Sequence, residues 1–102
     1  MSEKVLITPT TAAEVSEEFS LNYDHLGFLT SFGLKNTEAV TIQIKCPASK
    51  TWDDYKAKGN LFQLAEDTNG LDIYKSAGTY RVIKTATASA VGVGLTTSKV
   101  EI

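Results

Sequence analysis

Apolar and polar side chains alternate with a period of two along much of this chain. In "AVTIQIK", Val40, Ile42 and Ile44 point one way while Thr41, Gln43 and Lys45 point the other. That is the signature of a strand with one covered face, and its β-branched residues suit a half-buried pleat. Pro47 then stops the run, because proline cannot donate to a ladder. In "VSEEFSLNY", Val15, Glu17, Phe19, Leu21 and Tyr23 share one face, opposite Ser16, Glu18, Ser20 and Asn22. A charge on the covered face, Glu17, marks that strand as an edge.

Further strands are expected at Val5–Thr8, Phe28–Phe32, Thr51–Lys56, Leu61–Leu64, Leu71–Lys75, Thr79–Thr85, Val91–Thr96 and Val100–Ile102. Between them stand Gly33, Asn36, Lys58-Gly59-Asn60, Asp67-Thr68-Asn69-Gly70 and Ser76-Ala77-Gly78, residues that tolerate positive φ or bond their own backbone. Short strands between regular turns predict an all-β fold, a small β-sandwich, Ig-like or jelly-roll-like, of about eight short, mainly antiparallel strands. Helix competes only in "TPTTAAEVSEEF", where Thr10 or Thr11 could cap a single turn, and in "ATASA", too short to stand alone.

Composition narrows the picture. At 102 residues and 42% hydrophobic, with 22% charged residues, the chain fits one globular domain over residues 1–102, with residues 1–14 expected as an N-terminal arm. No apolar run approaches the ~20 residues a membrane helix needs, so no membrane is expected. The formal net charge is -2, with lysines and arginine interspersed among acids, so there is no basic stripe for nucleic acid. The first residues lack a secretory apolar core, which points to synthesis in a cytoplasm. Cys46 is the single cysteine, excluding an internal disulfide and reading as a small semi-buried side chain.

Candidate chemistry is sparse. His25 has no second histidine or nearby cysteine in sequence, and its meeting Cys46 in space as a base and nucleophile would require the fold to bring them together. Asp67, Asn69 and Asp72 around Gly70 faintly resemble a calcium loop, but Gly78 stands where the bidentate glutamate should be. Asp53 and Asp54, neighbours on a strand, face opposite ways and form no dyad. "GVGL" lacks the phosphate-binding spacing, so Gly92 and Gly94 suggest close packing or bulges. The expectation is therefore no catalytic residue, no cofactor and no metal.

"SAGTYRV" suggests a structural corner: Gly78 for a tight turn, Tyr80 near the start of a strand and Val82 two residues on, spaced as in a tyrosine corner. Trp52 and Tyr55, an odd number of positions apart, belong on opposite faces of a regular strand. Trp52 is expected as a core anchor alongside Gly78, Tyr80 and Val82. Tyr55, with Phe28, Phe32 and Tyr74, is the expected set of partner contacts, since aromatics are enriched at interfaces.

The order "VTIQIK…KTWDDY…GNLFQL…NGLDIY…AGTYRVIKTATASAVGVGL" resembles small virion structural proteins of tailed bacteriophages, of the capsid-decoration or head-fibre type. The resemblance covers about Ala39 to Leu95. It departs from the family pattern at "CPASK", where an Asp-Gly-Gly turn is usual, and at Thr85, where proline is frequent. It implies a non-enzymatic protein of the virion, made in the host cytoplasm, decorating or stabilising the capsid by contacts with a capsid or other virion protein, and a homo-oligomer, trimer or dimer, as natural around symmetry axes. A β-sandwich carbohydrate- or surface-binding module is the alternative, with Trp52, Tyr55 and Tyr74 as its stacking platform.

Overall fold

The stripe of Val40, Ile42 and Ile44 sits in the seven-residue strand that organises half of the molecule. In the computed structural model, which describes residues 2–57, 59–74 and 77–99 but not the side chains of Ala57 and Tyr74, the strands are β1 (Ser2–Thr10), β2 (Glu14–Val15), β3 (Phe19–Leu21), β4 (His25–Thr30), β5 (Val40–Cys46), β6 (Thr51–Asp54), β7 (Lys56–Ala57), β8 (Asn60–Leu61), β9 (Gln63–Leu64), β10 (Gly70–Tyr74), β11 (Gly78–Lys84) and β12 (Val91–Lys99). Among the described residues there is no helix. The fold is all-β, as the alternation predicts.

Two antiparallel sheets carry the structure. The first runs β1-β12-β4-β10. The second runs β2-β11-β5-β6, with β3 also on β11 and β9 also on β5, and β7 and β8 form a small separate ribbon. Their inner faces meet in one core. Ile7, Leu29, Ile73, Val91, Val93 and Leu95 come from the first sheet, and Phe19, Leu21, Val40, Ile42, Leu64, Tyr80 and Val82 from the second. This is the packing of a small β-sandwich, in which alternate residues of each strand fill the space between layers.

The stretch at Glu14–Leu21 departs from the expected unbroken strand. Val15 pairs with Ile83 and Phe19 with Tyr80, so four steps on one strand oppose three on the other. One residue is extra, a β-bulge, and it reverses the inward side. Val15 is consequently exposed while Ser16, Phe19 and Leu21 are buried, and Tyr23 is exposed because it lies in the turn after β3. Ser16 closes the gap itself: its N–H donates to the Val82 carbonyl and its Oγ accepts from the Val82 N–H, both at 2.9 Å. Glu17 turns outward to an ion pair with Lys4 at 2.7 Å.

At the N-terminal side, β1 is the edge strand of the first sheet, paired with β12 from Ser2↔Thr97 to Thr10↔Val91 with two register shifts. No helical turn follows. The Thr10 hydroxyl instead accepts the Ala12 N–H in a short bend. Positive φ occurs at Gly33, Asn36 and Gly59, three of the expected turn residues, and also at Lys50, which closes the turn after β5. Lys58, Lys75, Ser76 and Val100–Ile102 lie outside the described residues.

One inward position is not apolar. Continuing the Tyr80, Val82 stripe, Lys84 is 1% exposed. Its Nζ donates to the carbonyls of Ala12 at 2.8 Å and Thr85 at 3.1 Å and to Thr87 Oγ1 at 3.1 Å. An ammonium has three donors, and all three are used. Thr87 Oγ1 lies 3.3 Å from the Thr10 carbonyl and 2.7 Å from that of Ser89, so the segments at 10–12 and 85–89 are tied to the end of β11.

Candidate functional site

The expected anchors separate into two groups. Tyr80 and Val82 are fully enclosed. The Tyr80 ring stacks on Phe19 with centroids 5.8 Å apart and meets Tyr55 edge-on at 5.6 Å, geometries that add to simple area burial. Gly78 is not a turn residue; it opens β11 opposite Leu21, and its bare Cα faces the Tyr80 ring and hydroxyl.

Trp52 does not reach the core. The register of β5 on β6 sets Lys45 against Trp52 and Gln43 against Asp54, and directly opposed residues share a face. Since Val40 and Ile42 point inward, Trp52 is carried outward with Lys45. Tyr55, three positions on, turns in, packing against the core and edge-on to Phe62 at 4.8 Å. The odd spacing does divide the two rings between faces, but the indole takes the outer one and the phenol the inner. Tyr55 is thus withdrawn from the set of outward contacts, and the Trp52, Tyr55, Tyr74 platform does not assemble on one surface. The Tyr74 side chain lies outside the described residues.

Around Trp52 the outer face of the second sheet is ordered. The Arg81 guanidinium lies over the indole with its central carbon 4.4 Å from the ring centroid, and Lys45 Nζ lies 5.9 Å from it. Arg81 is opposite Gln43 across β11 and β5. Its Nε donates to Gln43 Oε1 at 2.9 Å, and Gln43 Nε2 donates onward to Asp54 Oδ1 at 3.1 Å. Lys45 also faces Glu18 at 3.8 Å. Sequence reading missed Arg81 and Gln43; the outward phase of "TYRV" against "TIQIK" carries the signal once the two strands are paired.

The outer face of the first sheet is different in kind. Phe28 and Phe32 are 38% and 69% exposed and Val5 is 65% exposed. A shallow trough of about 350 Å³ runs between β1, β4 and β12, lined by Val5, Pro9, Thr30, Phe32, Gly92 and Gly94 among others. The glycines differ. A Cβ on Gly92 would stand 2.9 Å from the Ile7 carbonyl and 3.0 Å from Pro9, so close strand packing requires it, whereas one on Gly94 would meet nothing nearer than Thr30 Oγ1 at 3.4 Å. Phe28 fills the space over Gly70, where an added Cβ would fall 2.7 Å from its ring.

The groups weighed for chemistry stand apart. His25 is in β4, its Nδ1 3.5 Å from Asp24 Oδ1, while Cys46 is exposed at the end of β5 in the other sheet. The Cys46 thiol is held below its ordinary pKa by the Ser49 hydroxyl and by the backbone N–H groups of Ser49 and Ala48. Asp67 takes the Thr68 hydroxyl in a tight turn at 3.3 Å, and Asp72 lies within β10. Among the described residues no three His, Cys, Asp or Glu side chains are grouped to hold a metal ion, and no helix is long and apolar enough to cross a membrane.

No protein-family model, curated protein or solved structure matches this chain.

Proposed function

We propose that this protein is a non-enzymatic structural component of a tailed-bacteriophage virion, attached to a capsid or other head protein by surface contacts. The order of motifs from Ala39 to Leu95 supports the class. One observation carries the mode of action: on the outer face of the first sheet, Val5 and Phe32 stay exposed along a glycine-floored trough, and Phe28 is exposed on the same face over Gly70. Exposed apolar groups clustered on one face mark an interaction site. A β-sheet packed on its other side supplies the stiffness that a lattice contact needs. The test is mass spectrometry of purified particles. The protein should be present as an intact chain; its absence from particles made in cells that express it would refute the reading.

A further inference from the structure

The face built on Trp52 is independent of the apolar trough and differs from it in chemistry. A guanidinium has five N–H donors in a planar fork and no acceptor. Among the described residues, the hydrogen bond of Arg81 is made by Nε, toward Gln43 Oε1. Among the described residues no carboxylate lies within ion-pair reach of it. The nearby acids are engaged elsewhere: Asp54 Oδ1 accepts from Gln43, and Glu18 faces Lys45. The group is half-buried yet held in place, over the indole at 4.4 Å and fixed through the Gln43 to Asp54 relay.

We propose that Arg81, stacked on Trp52, is the anchor of a second docking face, and that its occupant is an acidic side chain of a neighbouring virion protein. The inference rests on the virion reading above. Charge complementarity selects the occupant. Two terminal guanidinium nitrogens side by side match a carboxylate in the bidentate fork geometry, which is shorter and stronger than a neutral hydrogen bond. Stacking on Trp52 restricts the side chain before contact, so less rotamer entropy is lost when the carboxylate arrives. Tryptophan and arginine are the residues that most often dominate the energetics of interfaces. The cationic character extends past the stack. Lys45, beside Trp52, also borders a recess of about 420 Å³ with Lys50, Pro47, Ile44 and Thr79. An acidic residue next to an apolar one on the partner would fill both parts. Because the trough and the Trp52 face lie on the outer sides of different sheets, the chain would hold two neighbours at once.

The experiment uses particles assembled with wild-type protein or with R81A, W52A or R81K, quantifying copies per particle by mass spectrometry. R81A and W52A should load at least tenfold less than wild type, with soluble variants that melt as folded proteins. R81K keeps the charge but loses the fork, and should load to an intermediate level. In R81K particles, a zero-length carbodiimide should join the new amine to an Asp or Glu of another virion protein. Wild-type loading of a folded R81A overturns the inference while leaving the virion reading intact. So does a cross-link found only within this chain, which decides the matter even if R81A fails to fold. Tight binding of the isolated wild-type protein to an oligouronate, abolished in R81K, would move the carboxylate from a protein to a sugar and would also overturn it. Absence of the wild-type protein from particles refutes the virion reading itself.

Discussion

The Arg81 guanidinium rests on the Trp52 indole at 4.4 Å, on the outer face of the second sheet. The one tryptophan of the chain therefore stabilises a surface contact and not the core. Trp52→Ala should lower stability by about 1 to 2 kcal/mol, the loss of a partly exposed cation–π contact and some apolar burial. Tyr80→Ala, which empties a fully enclosed ring site against Phe19 and Tyr55, should lower it by about 3 to 5 kcal/mol. Chemical denaturation of the two variants measures the difference; equal losses would contradict the placement of the indole.

Lys84→Met removes an ammonium that satisfies two carbonyls and a hydroxyl inside the fold. The methionine fills similar space but leaves those acceptors without their donor. Ala12 and Thr85 are exposed, so water can replace the donor at their carbonyls, whereas the buried Thr87 hydroxyl loses its donor outright; a buried group left unsatisfied costs about 1 to 3 kcal/mol. The expected loss is of that size, about 1 to 3 kcal/mol, accompanied by faster amide exchange at the backbone N–H of Thr87, which donates to the Thr11 carbonyl across the same junction. Retained stability and exchange would show that the ammonium is not the tie.

Glu38 links two loops, with Oε1 accepting the Lys35 N–H and Oε2 the Ala88 N–H, each at 2.9 Å. The Ala88 and Lys35 amides, aided by the charges of Lys84 and Lys35, hold its carboxyl below the ordinary glutamate value. A depressed folded-state pKa means that the unfolded chain binds the proton first. The stabilisation is complete above the unfolded value of about 4.3 and is lost as pH falls through the lower folded value. Melting temperatures of wild type and Glu38→Gln should converge on acidification below that point and separate at neutral pH. A constant separation over the whole range would be inconsistent with this linkage.

The two outward glycines of β12 should respond in opposite ways. Gly92→Ala drives a Cβ against the Ile7 carbonyl and Pro9, prying β1 from β12, and overpacking of this kind costs about 1 to 3 kcal/mol. Gly94→Ala meets no such contact and removes a residue that weakens strands, so stability should hold or rise slightly. Thermal melts of both variants test the contrast.

Cys46, exposed with its thiol pKa lowered by Ser49 and Ala48, should be alkylated by iodoacetamide at neutral pH faster than an unstructured cysteine peptide. Ser49→Ala should slow that reaction. Equal rates in the two proteins would remove Ser49 as the cause.

Which face a side chain takes follows from alternation, and where the ladder is regular the alternation is enough: Val40 and Ile42 face the core as their spacing requires, and β5 ends before Pro47. It failed at Val15 because one extra residue, placed by the Ser16 side chain bonding into the β11 ladder, reverses the inward side without a trace in residue type. Parity placed Trp52 and Tyr55 on opposite faces, but which face each took depended on the pairing of Lys45 with Trp52, a relation between strands. Lys84 was illegible for a similar reason. A lysine at an inward phase looks exposed until the carbonyls of Ala12 and Thr85 and the hydroxyl of Thr87 are brought around it. The surface carrying Arg81, Gln43 and Trp52 follows from the same register, which local sequence does not contain.

The pairing of β1 with β12 also sets the order of events during synthesis. Leu6 and Ile7 emerge from the ribosome long before Val93 and Leu95, against which they must close. The first layer therefore stays open while the second is being completed, and its unpaired edge is presented to the cell for most of translation. Non-local closure of this kind is slow and leaves sticky intermediates, so the yield of native protein should be governed by how quickly the final segment is delivered, and slow codons placed shortly before Val91 should favour aggregates over folded chains.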